Sequence, residues 1–278
     1  IIIAAKIYDG SPAQKAGMQV GDIIYSVDDK VASEITYDEL VAAVRGKEGS
    51  EVVVKVKRND EIIEMSMTRE AVEVEVVTYE MLENNIGYIV LDQFTESSIN
   101  QFKNALDDLS SQGMKKVIVD VRDNPGGTLD SVKSILDYFL PPDKLLLYSK
   151  TKEGDVEKYF SDDEALIPDM PMCVLVNENS ASASEVFSGT LKFYDRATIV
   201  GTTTFGKGIM QSIFSLGDGT ALKLTIGKYY LPDDSNIHEI GITPDIDVEM
   251  PETVTNIWAI EHKDDPQICK AIEFLNEK

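Results

Sequence analysis

Apolar positions in the first seventy residues come in short runs punctuated by turn and capping signals. Residues 1–8 are apolar enough for a strand. Ser11-Pro12 then offers an N-cap with proline at the first helical position, and Gly17 closes a short helix. A strand is expected at 23–27 after the Gly21-Asp22 turn. Thr36 and Glu39 form a capping-box pattern ahead of Leu40, Val41 and Val44, which share one helical face before Gly46. Residues 51–57 and 61–67 alternate with period two around Asn59-Asp60, which predicts a hairpin.

Beyond residue 70 the period switches repeatedly between strand and helix. Strands are expected at 87–91, 116–121, 172–176 and 198–201, and helices at 98–113, 129–140 and 183–194. Such alternation predicts an α/β core. Residues 209–216 and 221–230 flank Gly217-Asp218-Gly219 as a second hairpin, and residues 264–278 read as a terminal helix. The chain therefore divides into a small β-rich unit, 1–70, and an α/β unit, 71–278.

Composition mainly excludes. With 26 Lys and Arg against 49 Asp and Glu, the net charge of −23 disfavours a nucleic-acid surface, which needs clustered cations. Two histidines, His238 and His262, argue against a multi-histidine metal site. Cys173 lies in an apolar run and reads as a buried, inert thiol. No run reaches the roughly 18 apolar residues of a membrane span. The chain begins at Ile1, as expected of a fragment or of a protein that has lost a leader.

Two strand-to-helix junctions hold candidate chemistry, since ligands of α/β sheets bind beyond the carboxyl ends of the strands. One is Asp123-Asn124-Pro125-Gly126-Gly127, where paired glycines allow close backbone approach; by itself such a motif is most often just a turn. The other is "VNENSASASEVF", with Ser182 beside the unpaired N–H groups of a helix start. There Ser182 suits a nucleophile, with the Ala183 N–H as an oxyanion donor. The same Ser182 and Glu185 also satisfy the S-x-x-E capping box, and from this segment alone a mere helix cap is the favoured reading. Lys207, between Gly206 and Gly208, serves as a base only when neutral, which burial favours; in a solvated loop it would be inert. A triad through His238 has little support from its polar surroundings.

Residues 10–60, "GSPAQKAGMQVGDIIYSVDDKV … YDELVAAVRGKEGSEVVVKVKRND", resemble a PDZ domain of the bacterial protease type. That resemblance implies that the first strand and the carboxylate-binding loop precede Ile1, so the module reads as N-terminally truncated. Across the rest, "SASASE", a lysine 25 residues after Ser182, a glutamine four residues later, "VIVDVRDNPGG", "IGYIVLDQF", "RATIVGTTTFGKG", "GKYYLP" and "GITPDIDVE" resemble the carboxyl-terminal processing (tail-specific) proteases. One departure is "LPDDSNIHEIGI", where the family often has Pro-Ser-Gly.

The resemblance implies a crotonase/ClpP-like peptidase core. In it Ser182 is the nucleophile, Lys207 the general base, Gln211 the residue orienting the lysine, and the N–H groups of Gly127 and Ala183 the oxyanion hole. A bulky side chain at Gly127 is then expected to harm catalysis far more than folding. It further implies no metal or organic cofactor, protein or peptide substrates with exposed carboxyl ends, and an extracytoplasmic location. Membrane attachment or homodimerisation through a segment ahead of Ile1 is expected on the same ground. The rival expectation is a non-catalytic binding protein on the same core, either for peptides or, like repeats of a retinoid-binding protein of the eye, for apolar ligands.

Overall fold

The computed structural model describes every residue except Ile1, Ala5, Lys6, Asp9, Glu73, Gly217, Asp218, Gly219 and Thr255. It divides into two compact units, Ile1–Glu75 and Val76–Lys278.

The first unit contains α1 (Pro12–Lys15), β1 (Ile23–Val27), β2 (Lys30–Val31), α2 (Tyr37–Val44), β3 (Glu51–Arg58) and β4 (Glu61–Thr68). Its antiparallel sheet has the order β2-β1-β3-β4. Local signals explain each boundary. Ser11 caps α1 by accepting from Gln14 N, and the Thr36–Glu39 capping box starts α2 with both bonds formed. Asn59 and Asp60 adopt φ values of 49° and 65°, which match the twist of a two-residue hairpin. Alternate side chains of β3 and β4 (Val52, Val54, Val56, Met65 and Met67) turn inward onto Val27 and Leu40. The strand expected over 1–8 is reduced to a single bridge, Ile3 to Ile23; Ile1, Ala5 and Lys6 lie outside the described residues. An apolar cleft of about 840 Å³ is lined by Ile24, Val44, Val52, Met67, Val72 and Val74, among others.

The second unit begins with β5 (Val77–Leu82), β6 (Ile86–Leu91), α3 (Glu96–Ser111), β7 (Lys116–Asp120), α4 (Leu129–Leu136), β8 (Leu145–Thr151) and β9 (Val156–Phe160). It continues with β10 (Met172–Val176), α5 (Ala183–Phe193), β11 (Thr198–Gly201), β12 (Ile209–Ser215), β13 (Ala221–Tyr230), β14 (Ile246–Asp247) and α6 (Pro266–Asn276). Its main sheet, β14-β11-β10-β7-β6-β5, is parallel except for the antiparallel edge strand β5. A smaller antiparallel sheet has the order β12-β13-β8-β9. The Gly217-Asp218-Gly219 turn of its β12–β13 hairpin lies outside the described residues.

The inner strands of the main sheet, β6, β7, β10 and β11, are buried on both faces, which is why they read as apolar runs. Val117, Val119, Val174 and Val176 pack with Phe102, Leu106, Ile135 and Phe187 of α3, α4 and α5. Ile118, Cys173 and Leu175 point the other way, onto Ile268, Ala271 and Leu275 of α6. Burial pushes the Cys173 thiol up to about 12, and it is unbridged, so it is inert as expected. Two helix ends differ from the sequence expectation. Thr95 starts α3 early through a capping box with Ser98, and α4 stops at Leu136, ahead of Pro141-Pro142. Among the described residues, no helix is long and apolar enough to cross a membrane.

Candidate active site

Three neighbouring parallel strands, β7, β10 and β11, deliver the loops that meet at their carboxyl ends. The loop after β7 carries Asn124 to Gly127, the loop after β10 carries Ser182, and the chain after β11 carries Lys207.

The first two loops are bonded together along their length. Ser180 Oγ donates to Val121 O at 2.7 Å, Ala181 N to Asn124 O at 3.0 Å, and Ser184 Oγ to Asn124 O at 2.9 Å. Asn124 is fully buried; its amide donates to Leu91 O at 2.6 Å and its carbonyl accepts from Gly126 N at 2.8 Å. Gly126 sits so close to the serine turn that a Cβ there would lie 2.6 Å from Ala181 O and 2.9 Å from Ser182 Cβ.

Gly127 corrects one expectation. A Cβ on it would lie 1.8 Å from Phe94 O, because the residue bridges directly to the Phe94 backbone. Any side chain at Gly127 therefore displaces main chain, so a bulky substitution harms the fold, which was expected to be largely spared. Among the described residues, neither Gly127 N nor Ala183 N has a hydrogen-bond acceptor within the protein.

Ser182 holds φ 57° and ψ −111°, a conformation that L-residues rarely adopt, at the turn from β10 into α5. It is half-buried, and its side chain makes no cap hydrogen bond. The capping-box motif is used from the other end. Glu185, fully buried, accepts the Ser182 N–H on Oε2 at 2.8 Å. The same Oε2 accepts Lys207 N at 2.8 Å, while Oε1 accepts Gly206 N and Thr204 Oγ1, each at 2.7 Å. Sequence reasoning saw Glu185 only as a cap residue, since its partners 19 to 22 residues on carry no local signal.

The lysine loop is braced on its far side by residues 237–242. Glu239 N donates to Gly206 O at 2.8 Å, and Thr204 Oγ1 accepts Ile242 N at 2.7 Å. His238 belongs to this brace, with Nδ1 3.4 Å from Gly206 O. Lys207 is half-buried, and among the described residues its ammonium makes no hydrogen bond to Ser182 and no ion pair. Gln211 is exposed on β12, beside a bulge at Met210/Gln211, and makes no hydrogen bond to Lys207 among the described residues. The structure thus brings the Gly126-Gly127 turn, the Ser182-Ala183 turn and the Lys207 backbone together, and shows no bond between Gln211 and Lys207 among the described residues.

At the end of β7 lies a buried charged cluster. Arg122 donates to Asp120, Asp265 and Gln267 at 2.6 to 3.0 Å, and Tyr88 donates to Asp120 at 2.6 Å. Burial opposes the Arg122 charge, yet the adjoining Asp120 carboxylate holds the guanidinium above its usual value. No cluster of three or more His, Cys, Asp or Glu side chains suited to a metal occurs among the described residues.

The sequence matches peptidase family S41 over residues 85–248 and a PDZ domain over residues 3–58. A "Carboxy-terminal-processing protease" of Bartonella bacilliformis is 39% identical, with 87% of this chain and 57% of that protein aligned. A "Probable CtpA-like serine protease" of Staphylococcus aureus is 36% identical, with 95% of this chain and 54% of that protein aligned. The chain thus spans about half the length of the curated relatives it matches. Among solved structures, the photosystem II D1 C-terminal processing protease superposes with a TM-score of 0.60 at 26% identity, covering 96% of this chain and 71% of that one. An S41 protease from Bacteroides fragilis reaches 0.63 at 18% identity, covering 98% and 77%, a likeness of fold.

Proposed function

Because the chain belongs to peptidase family S41, we propose that it is a serine endopeptidase in which Ser182 is the nucleophile, Lys207 the general base, and the Gly127 and Ala183 N–H groups the oxyanion hole. The observation that carries this reading is the Ser182 turn: a strained serine at a helix start, with Lys207 tied by its backbone to the same carboxylate oxygen. The two backbone nitrogens lie no farther apart than twice one hydrogen-bond length. Engaging Oγ with Nζ then calls for rotation about side-chain bonds, with Gln211 meeting the lysine in that engaged state.

In the first step neutral Lys207 takes the Ser182 hydroxyl proton as Oγ attacks the scissile carbonyl carbon. Charge builds on the carbonyl oxygen, where two N–H groups lacking protein acceptors supply preorganised donors. Collapse breaks the C–N bond, and the Lys207 ammonium returns the proton to the leaving amine. A water molecule, deprotonated by Lys207, then attacks the acyl ester, releasing a carboxylic acid and restoring Ser182. The non-catalytic alternative leaves both the strained serine and the two free donors without a role.

On this reading substrates are proteins with loose carboxyl ends, and the apolar cleft of the PDZ domain takes an apolar terminal side chain. An extracytoplasmic location follows from the same family reading. Replacing Ser182 or Lys207 by Ala should lower turnover of an unfolded protein by roughly 10²–10⁴-fold. The losses should not multiply in the double variant, because the pair acts as a unit. Near-normal turnover by Lys207→Ala, with loss in His238→Ala, would overturn the dyad.

A further inference from the structure

We infer that Glu185 is a positioning residue that locks the nucleophile turn and the base loop into one register. The inference rests on the Ser182–Lys207 reading and goes beyond it. A helix cap needs one acceptor for the cap N–H, and Glu39 shows that ordinary use: it sits at the exposed start of α2 and, among the described residues, its carboxylate bonds only Thr36, three residues away. Glu185 occupies the same motif position in α5 and behaves differently. It is 0% exposed, and three of its four donors come from the chain that carries the base.

All four partners donate, so the site is shaped for an acceptor-only carboxylate. Oε2 holds the Ser182 and Lys207 backbones, and Oε1 holds Gly206 N and Thr204 Oγ1. Thr204 passes the connection onward by accepting Ile242 N, which fixes the brace behind the lysine. Among the described residues Glu185 forms no ion pair with the Lys207 ammonium, so it holds the lysine through the backbone N–H.

A carboxamide cannot reproduce this set. In Glu185→Gln one oxygen still accepts two donors, but the NH2 group faces at least one backbone N–H, so a donor opposes a donor. The expected result is a folded protein whose kcat for an unfolded protein substrate falls about 10–100-fold, the range for a lost hydrogen bond to a charged group. KM should stay within about twofold, because substrate contacts are untouched. In a Lys207→Ala background the same change should cost less than about twofold, since there is no base left to place.

A merely structural Glu185 behaves otherwise. Thermal stability and folded fraction drop, kcat per folded molecule stays within about twofold, and any loss persists in full without Lys207; each of those kinetic outcomes overturns the inference. If Glu185→Gln fails to fold, Thr204→Val carries the test, because it removes one donor from Oε1 and keeps both Oε2 bonds. Its kcat should fall about threefold or more against Thr204→Ser, and equality of the two overturns the proposal. Should Ser182→Ala or Lys207→Ala retain full turnover, the dyad reading itself fails. Should both lose turnover while Glu185→Gln keeps it, only the role of Glu185 fails.

Discussion

Ser182 carries its strain in the main chain. A non-glycine residue at φ 57°, ψ −111° costs roughly 1–3 kcal/mol, and the surroundings must over-determine it. Glycine at this position relieves that strain, so Ser182→Gly should be more stable than Ser182→Ala by about 1 kcal/mol, read from urea midpoints. Greater stability of the alanine variant would show that the turn is unstrained. The residue types of the site were legible in the sequence: Ser182 lay at a junction of strand and helix, and the paired glycines lay at another. Their partners were not. Asn124, Thr204 and Glu185 act through contacts between loops that follow different strands, and only the tertiary arrangement pairs them. The paired glycines announced a close backbone approach, but nothing local names the group approached, the Phe94 carbonyl 33 positions earlier.

At the scale of elements, α6 is fastened to the sheet by both apolar burial and charge. Asp265 caps the helix by accepting Gln267 N and Ile268 N, and its second oxygen accepts Arg122 Nη1 at 2.8 Å. Asp265→Ala removes the cap and leaves a buried cation short of a partner, which should cost about 3–5 kcal/mol in urea unfolding of the second unit. A cost below about 1 kcal/mol would mean that Asp120 and Gln267 suffice to satisfy Arg122. In the PDZ domain, Arg58 grips Asp22 through two bonds of 2.7 Å and thereby holds the Asp22 carboxyl below its usual value. A depressed folded value means stability that is full above the unfolded carboxylate range, near pH 4, and lost as pH falls below it. Asp22→Asn should therefore flatten the acid side of the domain's stability curve and leave its shape near neutrality unchanged. Helices with caps and buried parallel strands were readable because their patterns are local. The strands β5, β8 and β9 were missed: β5 and β9 are edge strands with mostly exposed side chains, and the Leu145-Leu146-Leu147 run in β8 has no period.

At the scale of the whole molecule, the chain carries a PDZ domain with an apolar cleft and an S41 core whose candidate site lies at the carboxyl edge of its main sheet. If the cleft selects substrate tails, a substrate ending in Val or Leu should be cleaved with higher kcat/KM than the same substrate ending in Asp. Equal values would leave the PDZ domain as a gate or spacer. The central claim is narrower: Lys207 activates Ser182, and no other serine is the nucleophile. A fluorophosphonate tests it directly, because attack by an activated serine forms a P–O bond and expels fluoride. Peptide mapping of the labelled protein should place the adduct on Ser182. The labelling rate should fall about 100-fold or more in folded Lys207→Ala, the contribution expected of a positioned base. An adduct on Ser180 or Ser184, or an undiminished rate on Ser182 without Lys207, would contradict it.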